Sequence, residues 1–129
     1  MTPPDVVVLG PEWRERALLS AQLLEEGYEV VATDAWPIPR RLLRSGMKPR
    51  ALIVDLQGLP EPREALDEIR GVIPAEQVVV VTALGTISPE EIRTLGFHVI
   101  SRPTTVGDIV AAAAALLGVK SPHDLRTSR

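Results

Sequence analysis

The side chains able to do chemistry are few, and they fall at the downstream ends of short apolar runs. "LGPEWRE" places Gly10, Pro11 and Glu12 after the first run, and "RALIVDLQG" ends the third on Asp55. "VVVVTALG" ends the fourth on Thr82 and Ala83, and "HVISRPTT" ends the fifth on Ser101, Arg102 and Pro103. A carboxylate at a strand end can accept backbone hydrogen bonds or pair with a cation, and Arg102 is the cation at a matching position. A threonine there is a half-buried strand residue or, beside a carboxylate, part of a switch. His98 begins an apolar run and His123 lies near the end of the chain; neither has a carboxylate partner at catalytic spacing. The chain has no cysteine, which removes thiolate chemistry and zinc–thiolate sites. The repeated glycines of a dinucleotide fingerprint, a G-x-S-x-G elbow and the histidine motif of cobalamin-binding domains are also missing.

Five runs must position these residues: Val6–Leu9, Tyr28–Ala32, Ala51–Val54, Gln77–Val81 and His98–Ile100. They are rich in Val and Ile and bounded by turn-forming or charged residues, which predicts strands. Three are continuously apolar, as suits a parallel sheet covered on both faces. Helical patterns lie between them. Trp13, Ala17, Ala21 and Leu24 repeat at helical spacing, and Gly27 follows as a stop. Pro37 and Pro39 delay a short second helix in "RRLLRSG" that ends near Gly46. "PREALDEIRG" gives a third, ending at Gly71. "SPEE" opens a fourth, with Ser88 as cap, Pro89 in the first turn and Glu91 completing a capping box. Thr105 caps the fifth with Asp108 three residues on, and Val106, Ile109, Val110, Ala113 and Leu117 form its apolar stripe. Five βα units in a row predict a doubly wound parallel sheet, with the functional crevice beyond the carboxyl ends of its strands.

A chain of 129 residues suits one domain, expected over residues 1–118, followed by a polar tail at 119–129. The net charge of −3 and 3% aromatic content argue against direct nucleic-acid binding, which needs clustered cations and stacking platforms. The basic trio Arg40, Arg41 and Arg44 reads as a solvated helix face. Nothing resembles a signal peptide, and no apolar run is long enough to span a bilayer, so a soluble cytoplasmic protein is expected. Trp13 and Trp36 read as packing or surface residues, with Trp36 between Ala35 and Pro37 a possible exposed anchor.

Together these segments resemble the receiver domain of two-component response regulators, from about Asp5 to Gly118. "RALIVDLQG" is similar to the strand that carries the phosphoacceptor, here Asp55. "VVVVTALG" resembles the strand with the family's Thr or Ser and small residue, here Thr82 and Ala83. "HVISRPTTVGDIV" resembles the strand with its Lys-Pro, here Arg102-Pro103. The resemblance implies a five-stranded (βα)5 receiver fold with strand order 2-1-3-4-5. It also implies chemistry in which a phosphoryl group passes from a histidine kinase to the aspartate while a magnesium ion neutralises the developing charge. That ion is held by an acidic pair, the phosphoacceptor and a backbone carbonyl, which Gln57 would supply.

The departures lie at the metal. The acidic pair aligns with Gly10 and Pro11, neither of which has a side-chain oxygen; Glu12 is the next residue. Arg102 replaces a mobile point charge by a planar fork that can pair permanently with Asp55. The switch aromatic aligns with Val99, Gly58 comes early and Pro60 one residue late. The expectation is therefore an atypical receiver, a pseudo-receiver with a degenerate metal site at Gly10, Pro11 and Glu12 and no cofactor. It would not be an enzyme, and it would work through a kinase or output-domain partner. A dimer is expected through helix four, strand five and helix five, with Ile92, Leu95, Val99, Ser101, Arg102, Val106 and Ile109 as the candidate surface. The alternatives are a working receiver that accepts phosphate at Asp55, with Glu12 or another group recruiting magnesium, and a structural or regulatory module of a larger signalling protein.

Overall fold

A computed structural model describes residues 2–82, 85 and 87–118; the expected tail at 119–129 and Ala83 lie outside the described residues. The strands are β1 (Val6–Leu9), β2 (Val30–Thr33), β3 (Ala51–Asp55), β4 (Val78–Val81) and β5 (His98–Ile100). The helices are α1 (Trp13–Glu25), α2 (Pro37–Arg44), α3 (Pro62–Arg70), α4 (Pro89–Thr94) and α5 (Val106–Leu117), with single 3-10 turns at Leu56–Gly58 and Ala75–Gln77. The sheet runs β2-β1-β3-β4-β5 and every pairing is parallel, as the receiver fold requires.

Alternation along the strands divides the interior in two. Val7, Leu9, Leu52, Val54, Val78 and Val80 face one side and pack with Leu43 of α2, Leu66 and Ile69 of α3 and Ile92 of α4. Val6, Val8, Ala51, Ile53, Val79 and Val81 face the other and pack with Leu19 and Leu23 of α1 and Ile109, Ala113 and Leu117 of α5. Both faces are covered, so β1, β3 and β4 are buried at every residue, and an unbroken apolar run is the pattern that burial selects. The register sets Leu9 beside Val54, Asp55 beside Val81 and Val81 beside Ile100. The carboxyl ends of four strands therefore finish almost level, and the residues that follow them meet at one corner.

The Ser88 and Thr105 caps form, but Glu91 closes no capping box, because its carboxylate pairs with Arg63 of α3. Ser88 Oγ accepts from Glu91 N at 3.2 Å, and Thr105 Oγ1 accepts from Asp108 N at 3.1 Å. Gly27, at φ 91°, closes α1: its N–H bonds Leu24 O at 3.0 Å, and Tyr28 N–H bonds Leu23 O at 3.2 Å. Tyr28 therefore belongs to the helix cap, with its ring in the core, and β2 starts two residues later than its apolar run.

Two local expectations are corrected, and the face of α1 is fixed. Pro37 and Pro39 start α2 instead of delaying it, because the first turn of a helix has no intrahelical partner for the N–H groups that proline lacks. Trp36 is not an exposed anchor; it is buried among Leu9, Leu43 and Leu59 on the α2–α3 side. The Trp13, Ala17, Ala21, Leu24 stripe of α1 faces outward, while Leu19 and Leu23 make the buried face. Among the described residues, no helix is long and apolar enough to cross a membrane.

Candidate functional site

The corner is built around one guanidinium. Asp55 closes β3 and is only 4% exposed. Its Oδ1 accepts from Gln57 N at 2.9 Å and caps the 3-10 turn, and its Oδ2 accepts from Arg102 Nη2 at 2.6 Å. The other face of the fork goes to Glu15, in the first turn of α1: Arg102 Nη1 donates to Oε2 at 3.0 Å and Nη2 to Oε1 at 2.7 Å. This is a bidentate pair of the kind that suits arginine and not lysine. Thr82 is buried just past β4; its N–H donates to Ile100 O at 2.9 Å, and its Oγ1 accepts from Arg102 N at 3.4 Å. The Arg102–Pro103 peptide is cis.

The electrostatics are one-sided. Hydrogen bonding to Glu15, and then to Asp55, holds Arg102 above its ordinary range and outweighs the opposing effect of burial. Arg102 is thus a permanent cation between two carboxylates, its side chain 31% exposed beside an almost wholly buried Asp55. Among the described residues, no buried side-chain nitrogen or oxygen lacks a hydrogen-bond partner, so the corner is satisfied as it stands.

A magnesium ion does not fit this donor set. Gly10 and Pro11 bring no side-chain oxygen, and Gly10 O accepts from Arg16 Nη1 at 2.7 Å. Glu12 is exposed and committed elsewhere: as N-cap of α1 it accepts from Glu15 N at 2.7 Å. The two carboxylates that do face the corner, Asp55 and Glu15, are bridged by a cation already. Among the described residues, no group of three or more His, Cys, Asp or Glu side chains is arranged to hold a metal. Hard divalent cations require several oxygens converging in near-octahedral geometry, and this corner offers a salt bridge instead.

The strand-end residues Asp55, Thr82 and Arg102 are thus brought together, and Glu15 is the member that the sequence reading missed. In sequence it is only an acidic residue in the first turn of the helix leaving β1, a placement that solvated charges share. Helix amphipathicity did not flag it, because a charge is expected to face water. The candidate interaction surface also needs correction. Ile92 and Ile109 are fully buried core residues, and Leu95, Val99 and Val106 pack half-buried against the two cores, leaving Ser101 exposed. The exposed large apolar side chains among the described residues are Trp13, Leu18 and Leu24 of α1 and Ile38 of α2. Of the basic trio, Arg40 and Arg44 are answered by Glu68 of α3, at 2.8 and 3.4 Å, and Arg41 is exposed.

No family model matches the chain, and no curated protein matches it. Solved structures do. A signal receiver domain from Vibrio parahaemolyticus superposes with a TM-score of 0.73 at 19% identity, over 96% of this chain and 97% of that one. The receiver domain of NtrX from Brucella abortus gives 0.72 at 21%, over 90% of this chain and 100% of that one. A longer NtrX chain from the same organism, crystallised with ADP, gives 0.71 at 22%, and there 98% of this chain corresponds to 29% of the other. The likeness is one of fold: the five-stranded parallel sheet in 2-1-3-4-5 order is the receiver architecture.

Proposed function

We propose that the chain is an atypical receiver domain of a two-component-type signalling system. It acts in the cytoplasm through protein–protein contact with a histidine kinase or an output domain, and without magnesium-dependent phosphorylation. The observation that carries this reading is the engagement of Arg102 on Asp55 and Glu15 together. Phosphoryl transfer onto a carboxylate needs that carboxylate free on one side and charge neutralisation on the other. Here the cation already neutralises the would-be nucleophile. Each charge-assisted hydrogen bond lost on releasing it costs about 1.5–3 kcal/mol. The lock also joins three elements, the ends of β3 and β5 and the first turn of α1. Its role in this reading is structural: it holds the corner in one state.

A second reading keeps Asp55 as a phosphoacceptor. It draws on the gathering of Asp55, Thr82 and Arg102 at one strand-end corner, and it requires Arg102 to leave Asp55 and a metal to be recruited by Glu12 or Glu15. A third, a regulatory module within a larger signalling protein, draws on the longer NtrX chain, in which this fold corresponds to a fraction of the whole.

Intact mass after incubation with magnesium and a small phosphodonor separates the first two readings, with Asp55→Ala as control. The expected result is no adduct in either protein. A single added phosphoryl group that disappears in Asp55→Ala overturns the proposal. For the third reading, capture of the same partner by the isolated chain and by Asp55→Ala, with or without magnesium, supports independent action of this domain.

A further inference from the structure

We infer that the outward face of α1 is a self-association surface, on which a second copy of this chain packs antiparallel. Trp13 is 63% exposed, Leu24 55% and Leu18 53%, so α1 carries most of the large apolar side chains left in water among the described residues. They are not scattered. Trp13, Ala17, Ala21 and Leu24 lie within an arc of about 80° at 100° per residue. Between the two large residues the exposed Ala17 and Ala21 keep the surface low. A second helix can approach there closely, with a bulky knob at each end.

Charge decides what that second helix is. Arg14 near the start of α1 and Glu25 at its end fall on the same flank of the stripe, about 20° apart around the axis. Among the described residues neither is in an ion pair, and Arg14 lies over the Trp13 ring at 5.5 Å from its centroid. A two-fold axis crossing the helix between Ala17 and Ala21 reverses the partner's direction and keeps that flank on the same side. Trp13 then covers the second copy's Leu24, and Arg14 meets the second copy's Glu25. Leu18, also on this flank, meets its own counterpart near the axis. The surface is complementary to itself in shape and in sign, which is what a symmetric dimer needs. A helix of 13 residues is about 20 Å long, so the contact is small and the association modest, with a dissociation constant of about 10 µM. The inference stands apart from the reading of the strand-end corner, because it uses neither Asp55 nor Arg102.

The test is sedimentation equilibrium of the full chain from about 5 to 500 µM. The expected result is a reversible monomer–dimer equilibrium in the wild type. Arg14→Glu alone and Glu25→Arg alone should each be monomeric, because each sets like charges opposite one another twice. Mixed, the two variants should form a heterodimer, because both contacts become attractive again. Both substitutions suit the helix dipole, acid at the start and base at the end, so loss of folding does not confound the result. Trp13→Ser, at an exposed position, should weaken dimerisation at least tenfold and leave the melting midpoint unchanged at concentrations where the chain is monomeric. A wild type that stays monomeric throughout overturns the inference. So does a dimer indifferent to Trp13→Ser, or a mixture of the charge variants that fails to associate.

Discussion

Helix α1 departs from the usual distribution of polarity in two opposite directions. Its first turn sends Glu15 inward, into a corner where Asp55 and Arg102 are largely shielded from water. Its outer face sends Trp13, Leu18 and Leu24 into solvent. The charged corner is complete within the monomer, since each carboxylate finds the same guanidinium. The apolar face is incomplete in the monomer. The difference teaches that polarity does not place a side chain; the availability of a partner does. A buried charge is tolerable when an opposite charge from another element reaches it, and an apolar stripe remains outside when the core has already been filled by its neighbours on the helix.

The largest expected effect lies on the inner face of α1. Leu23 is fully buried and Leu24, the next residue, is mostly exposed. Leu23→Ala should destabilise by about 3 kcal/mol and Leu24→Ala by less than about 0.5 kcal/mol at concentrations where the chain is monomeric. Urea unfolding measures both, and equal costs would mean that the two faces of the helix do not differ as described. Next comes the corner. Arg102→Met leaves Asp55 buried without its cation; the cost should be about 2 kcal/mol, below that of a fully buried pair because Arg102 is partly exposed. Adding Asp55→Asn to Arg102→Met should return part of that loss, and a neutral Arg102→Met would show that the ion pair does not hold the corner. The smallest effect is gained function. Gly10 is not at positive φ, and a Cβ built there meets nothing within 4 Å, so its backbone accepts a side chain. The triple variant Gly10→Asp, Pro11→Asp, Arg102→Lys should acquire a magnesium-dependent stabilisation of about 1 kcal/mol at millimolar ion, measured by thermal unfolding, while the wild type shows none. A wild-type shift of that size would restore the metal-dependent reading.

Much of the fold was legible from residue pattern. The Val- and Ile-rich runs at Val6–Leu9 and His98–Ile100 are strands with the expected bounds; the first is unbroken because a sheet covered on both faces leaves no place for alternation. The side-chain caps at Ser88 and Thr105 form, since each depends on atoms only three residues apart, while the Glu91 carboxylate read as completing a capping box pairs with Arg63 instead. The buried face of α1 was not legible for a physical reason: the helix carries two apolar stripes, and periodicity alone does not say which one meets the sheet. For Trp36 the sequence left packing and an exposed anchor both open, because its burial depends on residues distant in sequence, Leu9 and Leu59 among them.

The site divides along the same line. Asp55, Thr82 and Arg102 could be gathered from the sequence, because strand ends in a parallel sheet lie level and side by side. Glu15 could not, because it reaches the corner from a helix 87 positions before Arg102, and nothing in its local pattern sets it apart from a solvated charge. Local and periodic information thus determined the elements, their order, the absence of an acidic pair after β1 and the residues at the strand ends. The tertiary structure alone decided which stripe of α1 is buried and where the arginine fork points, since both are outcomes of competition among surfaces and charges that meet only when the chain has folded.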